Sequence, residues 1–370
     1  MLDRSKLTKQ LELVVKYSFD AISQELEVAK KLWKKINEDS DFVDKAQKAC
    51  KSCGLPDWEG SLNAKNQMDI EPKVYTVVSV DGSQIYPDRH QGTDCFLINI
   101  SEIILHYGQT RSGAKLESFP YVYSSDSDFD SEQLVNCRRQ ELEFKHGFDV
   151  AKQVKSKAQN PVVLIFDGSL IFWHLQSKDE QAKQLFFSKY ISILNDCAKA
   201  EIVLCSYISL PKSKDLVSLL RFDVGNAQLF DYLTDADLVA IYLQEWQMST
   251  IFKSNAEITK DYPENLKPHF FYANVGTEIA RIEVPAYVRQ NLEQMKLVEQ
   301  IVVDQIKKGN GYPVALSEAH EQAVIKNYEK EFFYSLIKNF MYTAVILSEQ
   351  GESKEFRLSN KLGSKNRPAI

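Results

Sequence analysis

Two aspartates stand in matching settings in this chain. Asp81-Gly82-Ser83 follows the apolar run VYTVVSV (74–80), and Asp167-Gly168-Ser169 follows PVVLIF (161–166). Runs of this composition that stop at Asp-Gly read as buried strands with a turn at their ends. A carboxylate at such an end is held by the sheet, and glycine lets the chain turn away with no Cβ in its path. Ligands of open α/β sheets gather at the carboxyl ends of strands, so the two aspartates are expected to converge there. Paired carboxylates suit Mg²⁺ or Mn²⁺, hard ions that prefer oxygen ligands. Asp-Gly is also a common turn dipeptide. Its repetition after equally apolar strands is what gives the pair a chemical meaning.

A third acid comes from the helical segment 131–157. On a wheel of ~100° per residue, Leu134, Cys137, Phe144 and Phe148 form one stripe that includes Glu141, whereas Glu143 falls near the opposite side. An acid on a buried face is costly unless it is paired or bound to a metal. The wheel therefore selects Glu141 to face the sheet and leaves Glu143 in solvent. The competing reading pairs Glu141 with a nearby Arg or Lys. Near the C-terminus, Gly311-Tyr312-Pro313 precedes Ser317-Glu318-Ala319-His320. Pro313 disfavours the α region at Tyr312, and Ser317 is placed as the N-cap, which puts His320 in a first helical turn. There it can bind a metal or move a proton near neutral pH.

The elements that must position these residues follow from periodicity. A long amphipathic helix is expected over 5–37, with Val15, Phe19, Ile22, Leu26 and Ile36 at helical spacing, and a polar connection with short helical pieces over 38–72. Strands are expected at 74–80, 95–107, 116–123, 161–166 and 202–208, with a β pair over 269–284. Helices are expected at 131–157, 178–199, 213–221, 235–245, 290–308 and 317–343, and SSDSDFDS (124–131) makes an acidic turn. This order gives an α/β fold with a mixed sheet flanked by helices. The expected units are an N-terminal helical extension (1–72), a catalytic domain (73–345) and a basic C-terminal tail (346–370).

At 370 residues, 44% hydrophobic and 26% charged, the composition is that of a globular protein. The first residues, MLDRSKLTKQLELVVKY, lack the apolar core of a secretory signal. No stretch approaches the ~18 apolar residues of a membrane span, so a cytoplasmic location is expected. A net charge of −6 argues against a histone-like coat on DNA. It leaves room for local basic patches beside a carboxylate site. One such patch is the tail, where Lys354, Arg357, Lys361, Lys365 and Arg367 face only Glu355. Cys50 and Cys53 form a C-x-x-C with no partner pair at zinc spacing, and they read as coincidence.

Taken together these segments resemble the NurA family of nucleases almost end to end. MLDRSKLTKQLE is similar to family N-termini, VVSVDGSQIYPDRH resembles the first catalytic motif and VVLIFDGSLI the second. IVLCSYISLPKSKDLVSLLR, ARIEVPAYV and GYPVALSEAHEQAVI are similar to later family blocks. The resemblance implies a ribonuclease-H-like core and a Mn²⁺-dependent DNA nuclease, with Mg²⁺ as the alternative ion. It further implies single-strand endonuclease and 5′-to-3′ exonuclease activity, a homodimer, and a HerA-type hexameric ATPase as partner in processing DNA ends during double-strand break repair.

Residue by residue, Asp81, Asp167 and His320 match the metal site, and Tyr312 matches the site's tyrosine. RRQELEF (138–144) offers Glu141 or Glu143 as the helical glutamate, and the wheel takes Glu141. Arg89 is a possible phosphate contact, with a surface salt bridge as its ordinary alternative. Tyr86 and Trp173 could stack on unpaired bases, though core packing is the ordinary role for Trp173. The competing function is a DNA-binding adaptor for a HerA-like motor, with little cleavage of its own.

Overall fold

The computed structural model describes residues 2–68, 74–87, 95–108, 113–124 and 132–347. Arg89, the 124–131 turn beyond residue 124 and the basic tail from 348 onward lie outside them. Helices α1 (Arg4–Glu38) and α2 (Ser40–Cys53) precede two short strands, β1 (Asp57–Trp58) and β2 (Asn66–Gln67). β3 (Tyr75–Ile85), β4 (Phe96–Tyr107) and β5 (Gly113–Tyr123) form an antiparallel meander. α3 (Glu132–Lys157) leads into β6 (Val162–Asp167), and α4 (Glu180–Lys199) into β7 (Val203–Ile208). α5 (Asp215–Val224) and α6 (Asp235–Val239) come next. After them the chain forms β8 (Gln247–Met248), β9 (Phe252–Lys253) and the pair β10 (Pro268–Asn274) and β11 (Ile279–Pro285). α7 (Ala286–Arg289), α8 (Leu292–Lys308), α9 (Val314–Ala323) and α10 (Asn327–Leu347) complete the described chain.

The sheet runs β1-β9-β10-β11-β7-β6-β3-β4-β5, with β8 and β2 branching from β10. β6 lies parallel to both β3 and β7, whereas β11 returns antiparallel on β7. Parallel neighbours need a crossover, and α4 supplies the one between β6 and β7. The stretch β5-β4-β3-β6-β7, three antiparallel strands followed by two parallel ones, is the ribonuclease-H-like mixed sheet flanked by helices.

Strand alternation divides the core into two faces. Val78, Val80, Ile98, Leu164 and Phe166 pack with residues of α3 and α4. Val77, Ile103, Val163, Ile165 and Ile282 pack with residues of α8 and α9. A third cluster joins α1, α2, α5 and α6 to β10 through Trp33, Phe42, Leu216, Leu220, Phe270 and Tyr272. One face of the second half of α1 is thereby buried at Ala29, Trp33 and Ile36, while Leu11, Val14 and Val15 near its start are exposed.

Two expectations need correction. β3 does not end at Asp81: it continues to Ile85, with Asp81 to Ile85 paired to Ser101 to Leu97 of β4. Gly82 serves close approach instead of a turn, because a Cβ there would lie 2.6 Å from Glu143 Oε1 and 2.8 Å from Arg139 Cγ. At the second motif the turn is real, since β6 stops at Asp167 and Gly168 takes a φ of +95°. The helix expected over 317–343 is two helices. The Ala323 carbonyl accepts from Asn99 Nδ2 at 2.9 Å and from the Ser83 hydroxyl. Those side-chain donors take the place of a continuing helical N–H, and α9 ends there.

Candidate active site

β3 runs beside β6 only from Thr76 to Val80, opposite Val162 to Phe166. Asp81 and Asp167 are the next residues on their strands, so they are neighbours where β6 stops. Alternation from Val77 and from Val163 and Ile165 puts both aspartates on the face covered by α8 and α9. On that face His320 brings Nδ1 to 3.0 Å from Asp81 Oδ2. Tyr312, in the connection before α9, places its hydroxyl beside the Asp167 carboxylate. Burial and the adjacent Asp167 push the Tyr312 phenol well up, so it stays a protonated donor. Burial also raises Asp167, with the Tyr312 hydroxyl opposing the rise and Asp81 adding to it.

His320 sits in the last turn of α9, not the first, because the helix begins at Val314 with Pro313 at the N-cap position. Ser317 is therefore no cap. Proline is tolerated at a helix start because the N–H it lacks would have no partner there. Strand side chains hold the other end of α9, and those of Ser83 and Asn99 meet the Ala323 carbonyl, which lacks an intrahelical donor. Buried Ser101 donates from Oγ to the Ala319 carbonyl at 2.7 Å and accepts the Asp81 N–H at 3.3 Å. Gln322 Nε2 donates to Ser118 Oγ at 2.7 Å. With Ser83 and Asn99 these residues tie the end of α9 to β3, β4 and β5, next to His320. Sequence reasoning missed this set. Its trace was the row of small polar residues interrupting otherwise apolar strands.

From the opposite face α3 contributes Glu143, not Glu141. Arg139 Nη1 donates to the Gly82 carbonyl at 2.6 Å and stands 3.4 Å from Glu143 Oε1. Burial pushes the Glu143 carboxyl up to about 7, with Arg139 pulling it down and Asp81 and Asp167 pushing it further up. Glu141 instead pairs with Arg138 at 2.7 Å and with Lys189 of α4 at 3.1 Å.

The wheel failed because α3 is buried against two partners. The Cys137–Phe144 stripe is the seam with α4: Tyr190 donates to the Cys137 carbonyl at 2.7 Å and meets the Phe144 ring at 5.5 Å. The line facing the sheet is Arg139, Glu143 and Gly147, where a Cβ on Gly147 would come 2.6 Å from the Phe166 ring. Gly82 and Gly147 mark this close approach, and they were the signal available in the sequence.

Asp81, Asp167 and Glu143 offer carboxylate oxygens, and His320 offers an imidazole nitrogen, a donor set suited to a divalent ion such as Mn²⁺. Glu143 Oε1 is buried with no hydrogen-bond partner, an acceptor a cation would satisfy. Among the described residues, no three His, Cys, Asp or Glu side chains already stand close enough together to hold an ion. Glu143 leans toward Arg139, and Asp81 toward His320. Of the two candidate aromatics, Tyr86 is tied down by hydrogen bonds to Asn136 and Gln84. Trp173, expected in the core, is 42% exposed.

The NurA domain family matches residues 75–325, from the start of β3 to just beyond α9. No curated protein matches the sequence. A crystal structure of NurA is 12% identical, with 90% of this chain and 97% of that chain aligned and a TM-score of 0.44. A NurA structure bound to dAMP and manganese is 12% identical, covering 86% and 97% of the two chains, with a TM-score of 0.42. Ribonuclease H1 of Halobacterium salinarum is 8% identical over 38% of this chain and 89% of its own, with a TM-score of 0.21.

Proposed function

Because the chain belongs to the NurA family, we propose that it is a metal-dependent DNA nuclease, cutting single strands internally and degrading ends from 5′ to 3′. The observation that carries this reading is the pairing of Asp81 and Asp167 on adjacent strands, with His320 on one side and Glu143 on the other. We assign the ion as Mn²⁺, the metal with which a family structure was solved, with Mg²⁺ as the alternative.

Asp81, Asp167 and Glu143 would hold the metal, with His320 as a further ligand or as a proton donor. When bound, the ion supplies Lewis acidity toward the phosphodiester and lowers the pKa of water. The Asp81 carboxylate on Nδ1 fixes the orientation of the His320 ring. His320 is 67% exposed, which leaves Nε2 free to pass a proton to the departing oxygen. Tyr312 holds Asp167 in place and presents a phenol beside the phosphate.

We extend the reading to a cytoplasmic homodimer that works with a HerA-type hexameric ATPase in processing DNA ends for double-strand break repair. Exposed Leu11, Val14 and Val15 on α1 support a self-association surface. Among the described residues no helix is long and apolar enough to cross a membrane. The test is incubation of the purified chain with labelled single-stranded DNA and RNA in Mn²⁺, Mg²⁺ or EDTA. DNA cleavage that EDTA abolishes supports the reading. Intact DNA in both metals sinks it, and cleavage confined to RNA corrects the substrate.

A further inference from the structure

Beyond the carboxylates, on the α3 face of the sheet, lies a cleft of about 730 Å³. Its lining includes Ser169, two residues past Asp167, together with Trp173, Lys212 and Asp215, and the buried Arg281 and Glu283 of β11 form its floor. The C-terminal end of α2, at Cys53, closes it. That wall precedes residue 75 and so lies outside the segment the NurA domain matches.

The floor has an unusual donor. The Arg281 side chain is 2% exposed, and its charge is fully countered: Nε donates to Glu283 at 2.8 Å and Nη1 to Asp215 at 2.6 Å. Nη2 is buried and has no hydrogen-bond partner. A guanidinium already facing two carboxylates is a poor site for an anion, but its free N–H is costly to leave unmet and suits a neutral acceptor. The Lys214 ammonium is committed to the Phe230 and Asp231 carbonyls. Lys212 is exposed at the mouth. Glu283 also accepts from Ser169 Oγ at 2.8 Å and the Leu170 N–H at 2.7 Å, which fixes the floor relative to the Asp167 turn.

We propose that this cleft takes an unpaired nucleobase of the strand whose phosphate lies at Asp81 and Asp167. A base has a flat apolar face for the exposed Trp173 indole and carbonyl or ring-nitrogen acceptors for Arg281 Nη2. The cleft volume falls in the ordinary range for sites of small organic groups. Lys212 at the mouth meets the adjoining phosphate, a contact that positions the strand without reading sequence. The inference rests on the nuclease reading and adds to it a base-holding site beside the cut.

The test uses the full chain in EDTA, so that nothing is cut, with Trp173→Ala, Trp173→Phe and Lys212→Ala. Arg281 is left intact, since removing it would strand two buried carboxylates. Probes are oligothymidylate, oligouridylate and an abasic deoxyribose-phosphate oligomer of equal length. Oligothymidylate should quench tryptophan emission in the wild type but not in Trp173→Phe. Trp173→Ala should lose about 5- to 100-fold in affinity, and Trp173→Phe should recover most of it. Lys212→Ala should bind more weakly with a shallower salt dependence. The abasic oligomer should be indifferent to Trp173, and whichever polymer shows the loss identifies the source of the base. Unchanged affinity in Trp173→Ala, or an equal loss with the abasic oligomer, overturns the proposal. Cleavage in Mn²⁺ is measured alongside: normal cutting with indifference to Trp173 refutes the cleft alone, and Trp173-dependent binding without cutting refutes the nuclease reading alone.

Discussion

Replacing Glu143 by Gln should do two opposite things, both calculable from its surroundings. In the metal-free protein Glu143 is an acid whose folded pKa, about 7, stands above its ordinary 4.5 because burial and two aspartates oppose its ionisation. For a carboxyl raised on folding, the neutral form is favoured by the fold. Stability is therefore full below the unfolded pKa near 4.5 and falls as pH rises through the folded value. Each pKa unit corresponds to roughly 1.4 kcal/mol, so the loss at pH 8 relative to pH 4.5 is on the order of 3 kcal/mol.

Glu143→Gln keeps the shape and removes the titration, while Arg139 retains its bond to the Gly82 carbonyl. Urea denaturation in EDTA should therefore find the variant more stable than wild type at pH 8, with the gap closing near pH 4.5. In Mn²⁺ the same variant should lose orders of magnitude in cleavage rate. Glu141→Gln breaks only the pairs with Arg138 and Lys189, should cost about 1 kcal/mol or less, and should leave cleavage within a few-fold of wild type. Parallel pH profiles for wild type and Glu143→Gln would refute the electrostatic reasoning. Loss of cleavage in Glu141→Gln with Glu143→Gln spared would refute the assignment itself.

Asp81→Asn and Asp167→Asn should each abolish cleavage while single-stranded DNA binding, followed by fluorescence anisotropy in EDTA, persists. Ser101→Ala removes the Oγ bonds to the Ala319 carbonyl and the Asp81 N–H and should cost about 0.5–1.5 kcal/mol. Faster amide exchange at the end of α9 and a lower kcat with unchanged DNA affinity would mark the loosening of His320. Light scattering at micromolar concentration should give a dimeric mass, and a monomeric mass would remove α1 as a self-association surface.

The main strands were legible in the sequence as apolar runs, and Asp81 and Asp167 stood out as acids beside them, whereas the two-residue strands β1, β2, β8 and β9 are too short to leave such a run. What the sequence hid were relations between elements. Asp81-Gly82 looked like a turn because a glycine that admits a neighbouring helix is written the same way as one that bends the chain. Only the pairing of Gly82 with Ile100 and the closeness of Glu143 distinguish the two. A helical wheel shows one apolar stripe, and α3 buries two surfaces. The stripe with Cys137 and Phe144 belonged to α4, while the face on the sheet carried Arg139, Glu143 and Gly147. His320 was placed four residues too early in its helix for a similar reason, because the cap is Pro313 and not Ser317. Ser317 resembles a cap, but α9 begins at Val314 and its end is set by Ser83 and Asn99, residues far away in sequence.

Asp81, Asp167 and Glu143 should gather around one metal centre. Anomalous diffraction at the manganese edge from crystals of the full chain soaked in Mn²⁺ tests it directly. Density should lie between the Asp81 and Asp167 carboxylates, with Glu143 turned from Arg139 to join them and Glu141 still paired with Arg138 and Lys189. Manganese bound at Glu141, or absent from between the two aspartates in crystals that take it up elsewhere, would contradict it.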